Sequence, residues 1–331
     1  RDYLHWNWPM YYTELEGAIL PSEEFFRIKK GDNAGWPYAY WDHLKQKKMQ
    51  APEYGGDGKM EAKDSSYLKP IVSFPGHFAP NDLLFYTGNQ FPERYRNGAF
   101  IAFHGSTSSA PYPQAGYFIA FVPFTNGQPS GAWEVFADGF AGRDTIYNTS
   151  DAKYRPMGLS QGPDGSLYVS ETEKGKIWRV MFKGDREKFG APALAAMDKR
   201  KAEAPNTKMP DELKDNLDRK DYSPAARTYN TYCGKCHERN GEGNNRFPPL
   251  KGSEWFAGDI QQPLHIVLNG MEVEMMVRGR RFINTMPAFA NVLTDEQLAD
   301  VLTYVKTEFN GAASGVSVQE VRKARKELFK K

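Results

Sequence analysis

A chain of 331 residues has room for two or three domains and for a substantial buried core. Its net charge of +2 implies no general attraction to nucleic acid, and it has no run of the ~18 apolar residues a membrane-spanning helix needs. The aromatic share, 14%, suits a β-rich architecture. The chain starts at Arg1 rather than Met and shows no secretion leader, so a processed or partial product is expected.

Residues 1–185 read as all-β. Short apolar runs at 71–74, 83–86, 99–103, 117–124 and 133–136 are each bounded by Gly, Pro, Asn or Asp, as short strands are. The clearest hairpin follows the Pro163-Asp164-Gly165 turn, with strands at 167–170 and 176–180 joined near Lys174-Gly175. Many short strands with regular turns suggest a sandwich, a barrel or propeller blades.

Several motifs in order make the reading more specific. They are Leu20-Pro21-Ser22-Glu23-Glu24-Phe25-Phe26, the turn at 31–37, Tyr54-Gly55-Gly56-Asp57-Gly58, and Phe91-Pro92-Glu93-Arg94-Tyr95-Arg96. His104-Gly105-Ser106 follows, and Arg155-Pro156-Met157-Gly158 runs into the hairpin. Together they resemble L-sorbosone dehydrogenase and its relatives, which are PQQ-dependent sugar and alcohol dehydrogenases on a six-bladed β-propeller, several with a C-terminal cytochrome c. About 185 residues are too few for six four-stranded blades. The resemblance therefore implies a partial propeller, its second half, with the catalytic histidine of that family in a first half supplied from elsewhere. It also implies that Arg155 is a PQQ-binding arginine, with Lys153 and His104 near the cofactor and His77 near another cofactor-facing loop. Arg1-Asp2 matches a stretch whose carbonyls help bind a PQQ-associated Ca2+. Each residue has an ordinary alternative. An Arg before Pro often forms a strand-edge salt bridge, His104 can be structural, and turn chemistry accounts for Asp32 and Asn33. His5 and His43 have no constellation around them.

Residues 186–221 read as a charged linker, mobile or wrapped over other domains, because few of them can bury apolar surface. In the next segment, Cys233-Gly234-Lys235-Cys236-His237 has the spacing of a covalent haem attachment site. On a helix, positions i, i+3 and i+4 share one face, so both thiols and the imidazole would meet one flat ligand. A zinc site would want further Cys or His ligands, and a thioredoxin-like pair would have no use for His237. A disulfide across so short a loop would stabilise little.

Ser223-Pro224 opens one helix, and the Thr294-Asp295-Glu296-Gln297 capping box opens another. The second carries an apolar stripe of Leu298, Val301, Leu302, Val305 and Phe309. Residues 222–310 resemble class I cytochromes c, an all-α domain, including Pro248-Pro249-Leu250, Gly270 and Asn284-Thr285-Met286-Pro287. That resemblance implies His237 and Met286 as axial ligands of the haem iron, and Pro249 packed on the ring. Met271, Met275 and Met276 are read as filling core gaps, and His265 as structural.

Residues 311–331 read as a basic amphipathic tail, a solvated terminal helix by default. The whole implies the haem-bearing part of a PQQ dehydrogenase outside the cytoplasm, in a bacterial periplasm. Its partners would be a complementary propeller half or subunit, a small sugar or alcohol substrate, and an external electron acceptor such as a cytochrome or respiratory oxidase. The other reading is an electron-transfer cytochrome whose propeller-derived part only binds a partner.

Overall fold

A computed structural model describes residues 11–203, 223–272 and 274–328. Arg1, Asp2, His5 and residues 204–221 of the stretch read as a linker lie outside them. The described residues fall into two compact units, 11–203 and 223–328.

The first unit is mostly β. It opens with α1 (Glu14–Ile19), held by a reciprocal capping box: the Thr13 hydroxyl accepts from the Glu16 amide, and the Glu16 carboxylate accepts from that of Thr13. Strands β1 (Glu23–Phe25), β2 (Ala39–Asp42), β3 (Lys47–Gln50) and β4 (Val72–Phe74) make two antiparallel pairs, β1 with β4 and β2 with β3. Next come β5 (Pro80–Phe85), β6 (Ala99–Phe103) and β7 (Phe118–Val122). After a small hairpin of β8 (Phe124–Thr125) and β9 (Gln128–Pro129), β10 (Glu134–Ala137) completes an antiparallel sheet in the order β10-β7-β6-β5. Finally β11 (Pro156–Gln161), β12 (Leu167–Glu171) and β13 (Ile177–Val180) form a sequential antiparallel sheet.

The sequence pattern explains the stacking. Successive strand residues point to opposite faces, and every residue of β6 and β7 is buried. Phe100, Ala102, Ile119 and Phe121 pack on one face with Leu167 and Val169 of β12. On the other face Ile101, Phe103, Phe118 and Val122 pack with Phe74 of β4 and Phe78. The central sheet thus has an apolar layer on both sides, which is why its strands read as continuous apolar runs. Asp82 ties two sheets together by accepting the Leu159 amide at 2.7 Å.

Part of the stretch read as a linker, mobile or wrapped over other domains, is helical. It forms α2 (Ala191–Glu203), whose Ala, Lys and Arg content favours a helix as much as it disfavours a core. The Met197 sulfur lies 3.7 Å from the Tyr95 hydroxyl.

The second unit is mainly helical: α3 (Pro224–Tyr232), α4 (Gly234–His237), α5 (Gln261–Asn269), α6 (Asp295–Tyr304) and α7 (Val318–Leu328). The Ser223 hydroxyl caps α3 through the Ala226 amide, and the Thr294–Gln297 capping box starts α6. Helices α3 and α6 pack together, with Tyr229 fully buried against the rings of Tyr304 and Phe309.

Two features differ from the sequence reading. The unit is not wholly α, because β14 (Met275–Val277) and β15 (Arg280–Phe282) form a hairpin. Its two turn residues, Arg278 and Gly279, both have positive φ, the requirement of a tight two-residue turn. Met276 on this hairpin is 51% exposed, so it fills no core gap. The helix of the tail is also not solvated on all sides. Val321 and Ala324 of α7 are completely buried in the core formed by α5 and α6, because that face of the basic helix is apolar.

Candidate haem-binding site

Helix α3 delivers the attachment motif. The Cys233 amide still bonds to the Tyr229 carbonyl, and the His237 amide bonds to the Cys233 carbonyl at 2.9 Å. The helical path therefore runs through the motif and sets Cys233 and His237 one turn apart on one face. The imidazole is 8% exposed, and its Nδ1 lies 2.8 Å from the Pro248 carbonyl. A carbonyl only accepts, so Nδ1 carries the proton and Nε2 is left with its lone pair. Burial lowers the His237 pKa, against the opposing effect of that hydrogen bond, and so favours the neutral ring. Burial likewise pushes the Cys233 thiol up to about 12 and the Cys236 thiol up to about 11. Both are neutral thiols at physiological pH, the low-dielectric surroundings resisting a thiolate.

These side chains face two adjoining cavities of about 740 and 580 Å³, counting space open at their mouths. The larger is lined almost wholly by apolar groups. Cys233, His237, Pro249 and Met286 all contribute to it, and Cys236 lines the smaller one beside Cys233, His237 and Met286. Met286 is set by a two-way backbone bridge to Met271, with N–O distances of 2.9 and 2.8 Å. Gly270 precedes that bridge at φ 72°, ψ −179°, a conformation open essentially only to glycine. A Cβ there would fall 2.6 Å from the Met286 carbonyl oxygen.

The structure thus brings together Cys233, Cys236, His237, Pro249 and Met286. The residues fit a haem: two half-buried thiols, a neutral imidazole with one nitrogen already engaged, and a thioether, all bordering apolar space. The Pro248 carbonyl and the Met271 bridge were not singled out in sequence, since each acts through its backbone. Met275 lines both cavities, and His265, on α5, lines neither.

In the first unit Arg155 meets the backbone at His104. The Arg155 guanidinium donates to the carbonyls of His104 (3.2 Å) and Gly105 (2.7 Å) and lies 3.5 Å from a Glu173 carboxylate oxygen. His104 Nε2 is 2.8 Å from the Thr172 hydroxyl. Burial, then the Arg155 charge, pushes the His104 imidazole down to about 4. Lys153 is exposed, its ammonium 5.4 Å from the centre of the Tyr154 ring. His77, by contrast, bonds to the Gly17 carbonyl at 3.0 Å, and His43 lies 3.2 Å from the Ser73 hydroxyl. The Asp32 and Asn33 oxygens accept backbone amides of their own turn.

Residues 42–183 match the TrAA12-like family model, and residues 220–305 match the model for cytochrome c oxidase, cbb3-type, subunit III. The chain is 33% identical over 113 residues to the gluconate 2-dehydrogenase cytochrome c subunit of Pantoea cypripedii, which covers 32% of this chain and 25% of that protein. It is 27% identical over 190 residues to the pyrroloquinoline quinone-dependent pyranose dehydrogenase of Coprinopsis cinerea, covering 48% and 25%. Among solved structures, the calcium form of a Trichoderma reesei carbohydrate-active enzyme of family AA12 aligns with a TM-score of 0.38 at 22% identity, over 49% of this chain and 43% of that one. The chain spans only about a quarter of the length of these two curated relatives. Residues 42–183 are thus similar to the TrAA12-like family, and residues 220–305 to a cytochrome c family.

Proposed function

We propose that this chain is the haem-bearing part of a PQQ-dependent dehydrogenase, which relays electrons from the site of substrate oxidation to an external acceptor. The observation that carries the reading is the convergence of Cys233, Cys236, His237 and Met286 on adjoining apolar cavities. Cys233 and Cys236 attach haem c through thioether bonds. His237 Nε2 and the Met286 sulfur would ligate its iron, and Pro249 would pack against the ring. A haem held this way supplies one-electron transfer at a potential raised by the thioether ligand. The protein's share is to fix the imidazole through the Pro248 carbonyl, hold the methionine loop, and keep water from the ring.

The β unit is, in this reading, part of a six-bladed propeller completed by a second half or subunit, and its stacked sheets support that. Lys153, Arg155 and His104 face PQQ, with Ca2+ as its companion. PQQ, when bound, supplies the two-electron oxidation of a small sugar, aldehyde or alcohol. Exposed Lys153 offers a cation to a carboxylate, and Arg155 orders the His104–Gly105 backbone. We place the domains at 1–185, 186–221, 222–310 and 311–331, and the protein in the bacterial periplasm, where haem c is attached. Among the described residues no helix is long and apolar enough to cross a membrane.

One observation favours the second reading, a partner-binding β unit without PQQ: the Arg155 guanidinium is already engaged by its own chain. The haem assignment is common to both. It is tested by Met286→Ala, which should keep the covalent haem but lose the low-spin His/Met spectrum and lower the reduction potential. An unchanged spectrum would overturn Met286 as the ligand.

A further inference from the structure

Helix α7 does more than cover the core. Its Arg325 side chain, about four-fifths buried, reaches back to the segment that follows Met286. Nη1 donates to the Ala290 carbonyl, Nη2 to the Leu293 carbonyl at 2.8 Å, and Nε to the Asp295 carboxylate at 2.7 Å. One planar guanidinium therefore bridges the methionine loop and the first turn of α6. From the other side, α5 grips the same loop: the Phe289 amide donates to the Val267 carbonyl at 2.9 Å and that of Ala290 to Leu268 at 3.2 Å. Ahead of it, the Met271 bridge holds Met286 itself. Residues 286–293 are thus fixed at three places. Two lie on elements that line the cavity, and the third is supplied by α7. Arg322, one helical turn earlier, pairs among the described residues with the side chains of Asp295 and Glu296 and not with the loop.

We infer that Arg325 is a positioning residue for the axial methionine: α7 acts as a clamp that presses the 286–293 loop onto α5 and so keeps the Met286 sulfur within reach of the haem iron. The inference rests on the haem reading above. Carbonyls that lose this donor become free to turn outward to water, which lets the loop lift and the thioether leave. The bonds are charge-assisted and mostly screened from water, so their loss is felt strongly. Val321 and Ala324 keep the helix docked independently of Arg325, because their burial is apolar.

The test uses the full haem-loaded chain. Imidazole is titrated against the ferric protein, and displacement of the methionine is followed by loss of its near-infrared charge-transfer band, with the reduction potential measured alongside. Arg325→Ala should let imidazole displace the thioether at roughly tenfold lower concentration, the size expected from losing one charge-assisted bond, and should lower the potential. Arg325→Lys keeps the charge and the alkyl packing but cannot fork between three acceptors, so it should lie between the two. Should the alanine variant fail to fold, the lysine variant carries the test alone. Arg322→Ala should titrate like the parent. Parent-like titration and potential in Arg325→Ala, or in Arg325→Lys where that variant stands alone, would overturn the clamp while leaving the haem reading intact. An equal shift in Arg322→Ala would overturn it as well, since the effect would then be general to the helix. A purified chain with no covalent haem would overturn both.

Discussion

His237 and His104 show how two histidines in one chain are put to different uses by their surroundings. Both are shifted towards the neutral form by burial, but His237 turns one nitrogen to a carbonyl and the other to apolar space, whereas His104 is tied to Thr172 and sits beside Arg155. The His104 shift has a consequence for stability. Its pKa is about 4 in the folded chain against 6.5 for the unperturbed group. Between those values the unfolded chain binds a proton that the folded one refuses, so this contribution is full above pH 6.5 and is lost as pH falls towards 4. The denaturation midpoint of the β unit should therefore drop over that window, and His104→Gln should flatten the drop. An identical pH profile for the variant would exclude His104 as its source. At this scale the shared placement of Cys233, Cys236 and His237 beside one cavity was legible, because they are close in sequence and their spacing sets the geometry. Arg155 was not. Besides the Glu173 ion pair, its carbonyl partners lie about 50 positions away on the His104–Gly105 backbone, and no local pattern announces them.

Elements were legible where a local rule governs them. The capping box at Thr294 and the Ser223-Pro224 start each encode a helix end, and both helices begin there. The strand at Ala99–Phe103 begins and ends where its apolar run does. The β14–β15 hairpin escaped notice because its turn uses Arg278 in a left-handed conformation, and a positive-φ arginine has no sequence signature. The α7 helix was seen but its docking was not. Its high charge suggested a solvated face, while the two residues that matter most, Val321 and Ala324, are small. Gly270 carries the sharpest prediction among elements. It ends α5 and starts the bridge to Met286, and alanine there would meet both a forbidden backbone conformation and the Met286 carbonyl. Gly270→Ala should destabilise the helical unit by about 1–3 kcal/mol and broaden the methionine-ligated spectrum. Parent-like stability would show that the 270–271 turn can relax without cost.

At the scale of the whole molecule, one chain joins a β-rich unit that matches the TrAA12-like model to a helical unit that matches a cytochrome c model. The sheet stack was legible in outline, as repeated short apolar runs. Its strand pairings were not, since contacts such as Asp82 to Leu159 and Tyr86 to Gly165 span more than 70 residues. Of the candidate cavity, the Cys233–His237 wall was legible and the rest obscure, because its other walls come from α5, the hairpin and the loop around Met286. The central claim is that Cys233 and Cys236 hold a haem covalently. Intact mass of the native chain after denaturation and organic extraction tests it directly. The account predicts a mass greater than the polypeptide by one haem, lost when both cysteines are replaced by alanine. A bare polypeptide mass, with two thiols open to alkylation, would contradict it.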